Sequence, residues 1–129
     1  MTFDELFAQV TSANGRFAHR EHVQLTWLAV RCSGMPDAID LVSEGIQRTA
    51  RYAGAPQKYH PTVSRAWVEL VAHHVVHDGT DDFDAFAARN APLLDKRLLT
   101  RFYRSATLAG SRSRTEWVEP DLAPFPWLT

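Results

Sequence analysis

The stretch His19-Arg20-Glu21-His22-Val23-Gln24-Leu25-Thr26-Trp27-Leu28-Ala29-Val30-Arg31-Cys32-Ser33, followed by Gly34, decides the fold. Val23, Trp27 and Val30 recur at helical spacing, and Gly34 supplies the left-handed residue on which helices commonly end. At about 100° per residue, Arg20, Glu21, Gln24 and Arg31 fall on one arc, which is predicted to face solvent. His19 and His22 fall on the opposite arc with Val23, Thr26, Ala29 and Val30, so both imidazoles should point inward from the first turn. A helix with one such apolar face has to be covered by others.

Working outward, the flanking segments supply them. Thr2 and Glu5 form a capping box that starts a first helix at Phe3, running to about Ala13 before Gly15. After Gly34, Pro36 suits the first turn of a third helix, whose stripe is Ile39, Val42, Ile46, Ala50 and Ala53, closed by Gly54. Two prolines in the segment 54–61 make it a loop, and a fourth helix begins at Pro61 or Thr62 with Val63, Trp67, Leu70, Val71 and His74 on one face. Asp78-Gly79 stops it; a short fifth helix carries Phe83, Phe86 and Ala87 up to Pro92, and a sixth carries Leu94, Leu98, Leu99, Phe102 and Tyr103. Beyond residue 110, Pro120, Pro124 and Pro126 favour an irregular, extended path, while Trp117, Phe125 and Trp127 give that tail enough apolar surface to lie on the bundle. The expectation is an all-α fold: one compact, irregular bundle of five to six helices over about 3–109, with a packed tail over about 110–129.

Bulk properties narrow the function. At 129 residues the chain has room for one core. With 14 Lys and Arg against 15 Asp and Glu, its net charge of −1 offers no broad attractive field for nucleic acid or an acidic membrane. No apolar run approaches the about 20 residues that cross a bilayer, and the acidic N-terminal sequence lacks the marks of a signal peptide. A single cysteine, Cys32, precludes an internal disulfide and suits a reducing, cytoplasmic compartment; near a helix C-terminus it is expected to pack at the flank of the core rather than react. Di-iron Glu-x-x-His, zincin His-Glu-x-x-His and phosphate-binding glycine-rich motifs are absent from the sequence.

The histidines carry what chemistry the sequence suggests. For one inward histidine, a hydrogen bond to a carboxylate or carbonyl is the commoner fate; two at i,i+3 on one inner face also suit a metal. Short connections make neighbouring helices antiparallel, so the second and fourth should run parallel with the third reversed between them. That topology brings His60 to the end of the bundle that holds His19 and His22. The leading expectation is therefore a mononuclear centre, zinc or iron, with His19, His22 and His60 as ligands and an open position for water or a small-molecule substrate. Tyr59 or Lys58 would orient or protonate a bound group, and Arg114, in Gly110-Ser-Arg-Ser-Arg114, would hold an anionic end. His73 and His77, with Glu69 one step earlier, read as a decorated helix flank, and His74 as a satisfied core histidine. Two other readings stay open: a non-catalytic interaction module with structural histidines and an exposed apolar patch around the tail, and a metal-free enzyme with a histidine general base.

Phe17-Ala-His-Arg-Glu-His-Val-Gln-Leu-Thr-Trp27, Lys58-Tyr-His-Pro-Thr-Val-Ser-Arg-Ala-Trp67 and Val118-Glu-Pro-Asp-Leu-Ala-Pro124 resemble blocks shared by a family of small bacterial helical proteins. Its pattern is H-R-E-H, K-Y-H-x-T and E-P-D-L, so the resemblance points to His19, His22, Tyr59, His60 and Thr62. It implies no reaction.

Overall fold

In the computed structural model, residues 2–35, 37–54 and 59–128 are described, and they are helical with no strand. The helices are α1 Phe3–Asn14, α2 His19–Ser33, α3 Asp37–Tyr52, α4 Pro61–His77, α5 Phe83–Arg89, α6 Ser105–Ala109 and α7 Ser111–Thr115. Three 3-10 turns join them, Ala91–Leu94, Lys96–Arg101 and Pro126–Leu128. Punctuation matches the sequence at the first two helices. Thr2 Oγ1 accepts from Glu5 N–H at 3.2 Å while the Glu5 carboxylate accepts from Thr2 N–H at 3.1 Å, and Gly15 and Gly34 end α1 and α2 at φ 72° and 68°.

Two expected elements differ. The sixth helix is instead the 3-10 turns Ala91–Leu94 and Lys96–Arg101, because Asp95 lies extended between them and turns its carboxylate onto the Arg97 N–H at 2.9 Å, restarting the chain. Ser111–Thr115, expected within the irregular tail, forms α7. On α2, Glu21 is buried rather than solvent-facing: its carboxylate turns back to accept from Ala18 N–H at 2.9 Å, satisfying a free donor at the helix start, with Arg16 at 3.7 Å. Cys32, expected against the core, is exposed.

Two apolar clusters share α2 and α4. One holds Phe3, Leu6 and Val10 of α1 with Leu25, Ala29, Val42, Val68 and Ala72; the other holds Val23, Trp27, Trp67, Leu70 and Val71 with Phe83, Phe86, Leu93, Leu99, Tyr103 and Phe125. The α4 helix is therefore buried on nearly every side, through Thr62, Ser64, Ala66, Trp67, Val68, Leu70, Val71 and Ala72, and not on the single stripe its spacing suggests. On α3 the sequence stripe omits Gly45, whose bare backbone carries the Phe3 ring: a Cβ there would lie 2.1 Å from Phe3 Cδ1. That approach explains a residue that costs a mid-helix position about 1 kcal/mol relative to Ala.

The tail is stitched to the bundle as well as packed on it. Thr62 is fully buried at the start of α4; its hydroxyl donates to Glu116 O at 2.8 Å and accepts from Val118 N–H at 3.1 Å. Tyr103 OH donates to Val118 O at 2.7 Å, and the Arg65 guanidinium lies 4.5 Å over the Trp117 ring. Thr62→Val keeps the shape and removes both bonds, leaving a buried N–H and a carbonyl with unmet demands. A loss of about 2 kcal/mol is expected, read as a lower urea midpoint at constant slope; an unchanged midpoint would show that water replaces the hydroxyl at no cost.

Candidate functional site

Parallel α2 and α4, with α3 reversed against both, bring three helix ends together, and an open cleft of about 1020 Å³ lies between them. From α2 and the residues before it come Phe17, Ala18, His19 and His22; from the end of α3 and just beyond, Ile46, Thr49, Ala50 and Ala53. Tyr59, His60, Val63, Ser64 and Trp67 form the α4 wall, and Lys96, Leu99, Thr100 and Leu108 close the far side. The walls are mainly apolar, with a few convergent polar groups, which is the usual make-up of a small-molecule site.

Each histidine has its own hydrogen-bond state. His60 precedes α4 as its N-cap: Nδ1 accepts from Val63 N–H at 3.2 Å, and Nε2 donates to Leu108 O at 2.8 Å. Both nitrogens are thus engaged, and the ring has no lone pair left for a ligand or a metal. His19 donates from Nε2 to Leu93 O at 2.9 Å, which leaves Nδ1 with a lone pair, and its ring meets the Trp67 ring edge-on at 4.5 Å. The His22 ring makes no hydrogen bond among the described residues, while its backbone carbonyl accepts from Thr26 Oγ1 at 2.9 Å. Burial, and then the neighbouring His19, pushes its pKa down to about 4, so at neutral pH it is an uncharged ring able both to donate and to accept. His19 is lowered too, by burial first, against the opposing pull of its bond to Leu93, with nearby Lys96 adding to the lowering. Burial raises the Tyr59 phenol, which keeps it a proton donor.

The structure therefore brings His19, His22, Tyr59 and His60 to one cleft, while Lys58 lies outside the described residues. Arg114 is exposed on α7 and does not line the cleft among the described residues; the neighbouring Arg112 pairs with Glu116 at 2.7 Å. Among the described residues, the cation that lines it is Lys96. Sequence reasoning missed Ser64 and Trp67, although a step of four and then three along the helix from His60 places both on its face. Ser64 is 7% exposed and its hydroxyl has no hydrogen-bond partner among the described residues. Lys96 had no local signal, since it arrives from a turn distant in sequence.

At the other end of α4, His74 Nδ1 donates to Leu70 O at 2.7 Å, as a satisfied core histidine does. The His73 ring lies 4.7 Å from His77 and 4.9 Å from Trp127, and Glu69 faces Arg65 at 3.6 Å. Among the described residues, no group of three or more His, Cys, Asp or Glu side chains is arranged to hold a metal, here or in the cleft. Nor is any helix among them long and apolar enough to cross a membrane.

No family model, curated protein or solved structure matches the chain. Function must be argued from the cleft. The three sequence blocks do meet in space: residues of the first two line it, and Val118, which opens the third, bonds Thr62 of the second.

Proposed function

We propose that this protein binds a small, largely apolar molecule in the cleft between α2, α3 and α4, with uncharged histidine as its polar anchor. The observation that carries the reading is that the buried Ser64 hydroxyl and the half-buried His22 ring both line the cleft, the hydroxyl with no hydrogen-bond partner among the described residues. An unmet buried polar group costs about 1–3 kcal/mol, and a ligand that satisfies it recovers that cost. The walls supply the remaining affinity by burial of apolar surface. A proton acceptor with a pKa of about 4 is poorly matched to general-base work at neutral pH, so His22 serves recognition better than proton abstraction. The exposed apolar patch of an interaction module has little support: the tail aromatics are buried or half-buried, and among the described residues the large exposed hydrophobic ones, Met35, Val76 and Leu122, belong to three separate segments.

A metal on His19, His22 and His60 is the second reading, favoured by the convergence of the three rings on one cleft. It requires His60 to surrender either its cap on Val63 or its bond to Leu108. Elemental analysis of the purified, untagged protein addresses it: stoichiometric zinc or iron that is lost in His22→Ala would establish the metal reading. The binding reading predicts no such metal. It also predicts that benzyl alcohol and 1-octanol at millimolar concentration shift the backbone resonances of His22, Ser64 and Trp67 in a ¹⁵N correlation spectrum. Shifts absent, or confined to residues away from the cleft, would overturn it.

A further inference from the structure

We propose that the ligand is an apolar carboxylate, an aromatic or aliphatic body bearing one carboxylate group, with the Lys96 ammonium as counter-ion and the Ser64 hydroxyl donating to the carboxylate. This rests on the ligand-binding reading above and specifies its substrate class. Phe17, Ile46, Val63, Trp67, Leu99 and Leu108 offer an apolar lining for the body.

The charge pattern selects the head group. No Asp or Glu lines the cleft among the described residues, and Lys96 is the one lining side chain with a full charge. Lys96 has no ion pair among the described residues, because the adjacent Asp95 is taken by Arg97, through its backbone N–H at 2.9 Å and its side chain at 3.2 Å. The ammonium is also near enough to His19 to disfavour protonation there, against the smaller opposing pull of the Asp95 carboxylate, which sets its charge at the histidine end of the cleft. Of the aliphatic hydroxyls, Thr49 donates to Gly45 O at 2.9 Å and Thr100 to Arg97 O at 2.6 Å, so Ser64 is the one left to donate to a guest. A cationic ligand would face the ammonium with no carboxylate among the described lining residues to offset it. A phosphate dianion would be under-compensated, with one cation and no arginine fork among the described lining residues.

Isothermal titration of the intact protein at pH 7.5 with benzoate and octanoate, and with their neutral counterparts benzyl alcohol and 1-octanol, tests the inference. Each carboxylate should bind about tenfold more tightly than its alcohol, the worth of one favourable charge contact. Lys96→Gln and Lys96→Met should abolish that difference while leaving the alcohols unaffected, and added salt should weaken the carboxylates alone. Ser64→Ala should weaken the carboxylates several-fold. Equal binding of acid and alcohol by the wild type overturns the carboxylate assignment and leaves the cleft reading intact. A preference that survives in both Lys96 variants overturns the role of Lys96. Binding of neither class overturns this inference and the reading beneath it.

Discussion

Phe125→Ala is expected to cost the protein about 3–5 kcal/mol, the range for removing a buried aromatic ring from a core. The residue sits in an extended segment between prolines, where a mild surface effect would be the ordinary guess. Its ring is nevertheless only 1% exposed, stacked 4.8 Å from Trp127, 5.1 Å from Phe102 and edge-on to Tyr103 at 6.2 Å. The segment is also fixed, since Leu122 N–H and Ala123 N–H both donate to Phe102 O, at 2.8 and 3.3 Å. The void cannot easily close, because its rim is pinned by hydrogen bonds. Urea denaturation of the variant measures the effect; a loss below about 1 kcal/mol, the cost of a surface change, would mean that the tail lies on the core and does not complete it.

The second large effect is on pH. His22 ordinarily titrates near 6.5 when unfolded and is held at about 4 in the fold, so between those values the unfolded chain carries one more proton than the folded one. Stability is therefore full above about pH 6.5 and falls as the pH drops toward 4, by roughly 3 kcal/mol for a shift of this size. His19 and His73, both lowered by burial, act in the same sense. Glu69, raised by burial, acts in the opposite one. Asp78, held at about 2 chiefly by its bonds to Arg89, keeps its charge until well below the window. The telling quantity is hence the difference between wild type and His22→Gln in urea midpoints from pH 7 to pH 4. The variant should show a flatter profile; parallel profiles would place the acid sensitivity elsewhere.

Much of the fold was legible because punctuation and periodicity agreed. Both limits of α1, the end of α2 and the start of α4 each had a cap, a proline or a glycine where the apolar repeat stopped. What failed did so for non-local reasons. The burial of Glu21 follows from a carboxylate folding back on its own helix start, and the 3-10 turns around Asp95 from one side chain competing for the backbone; neither leaves a mark in hydrophobic spacing. The second apolar face of α4 was hidden because Val68 and Ala72 read as filler until residues of α1 and α3 are seen to cover them. At the site, the meeting of His19, His22, Tyr59 and His60 followed from loop lengths and helix direction. The commitments of each ring nitrogen did not, since Leu93 O and Leu108 O belong to segments far along the chain. Lys96 was invisible for the same reason.

One wall of the cleft is far stiffer than the other. Because α4 is gripped from both sides, it cannot slide to suit a guest without opening two cores at once. The opposite wall, from Lys96 to Thr100, is a single short 3-10 turn, whose hydrogen-bond geometry is poorer than that of an α-helix and which is anchored in one core alone, by Leu98 and Leu99. Accommodation of bodies of different girth should therefore be one-sided, with the turn yielding and the long helix acting as the fixed jaw of a vice.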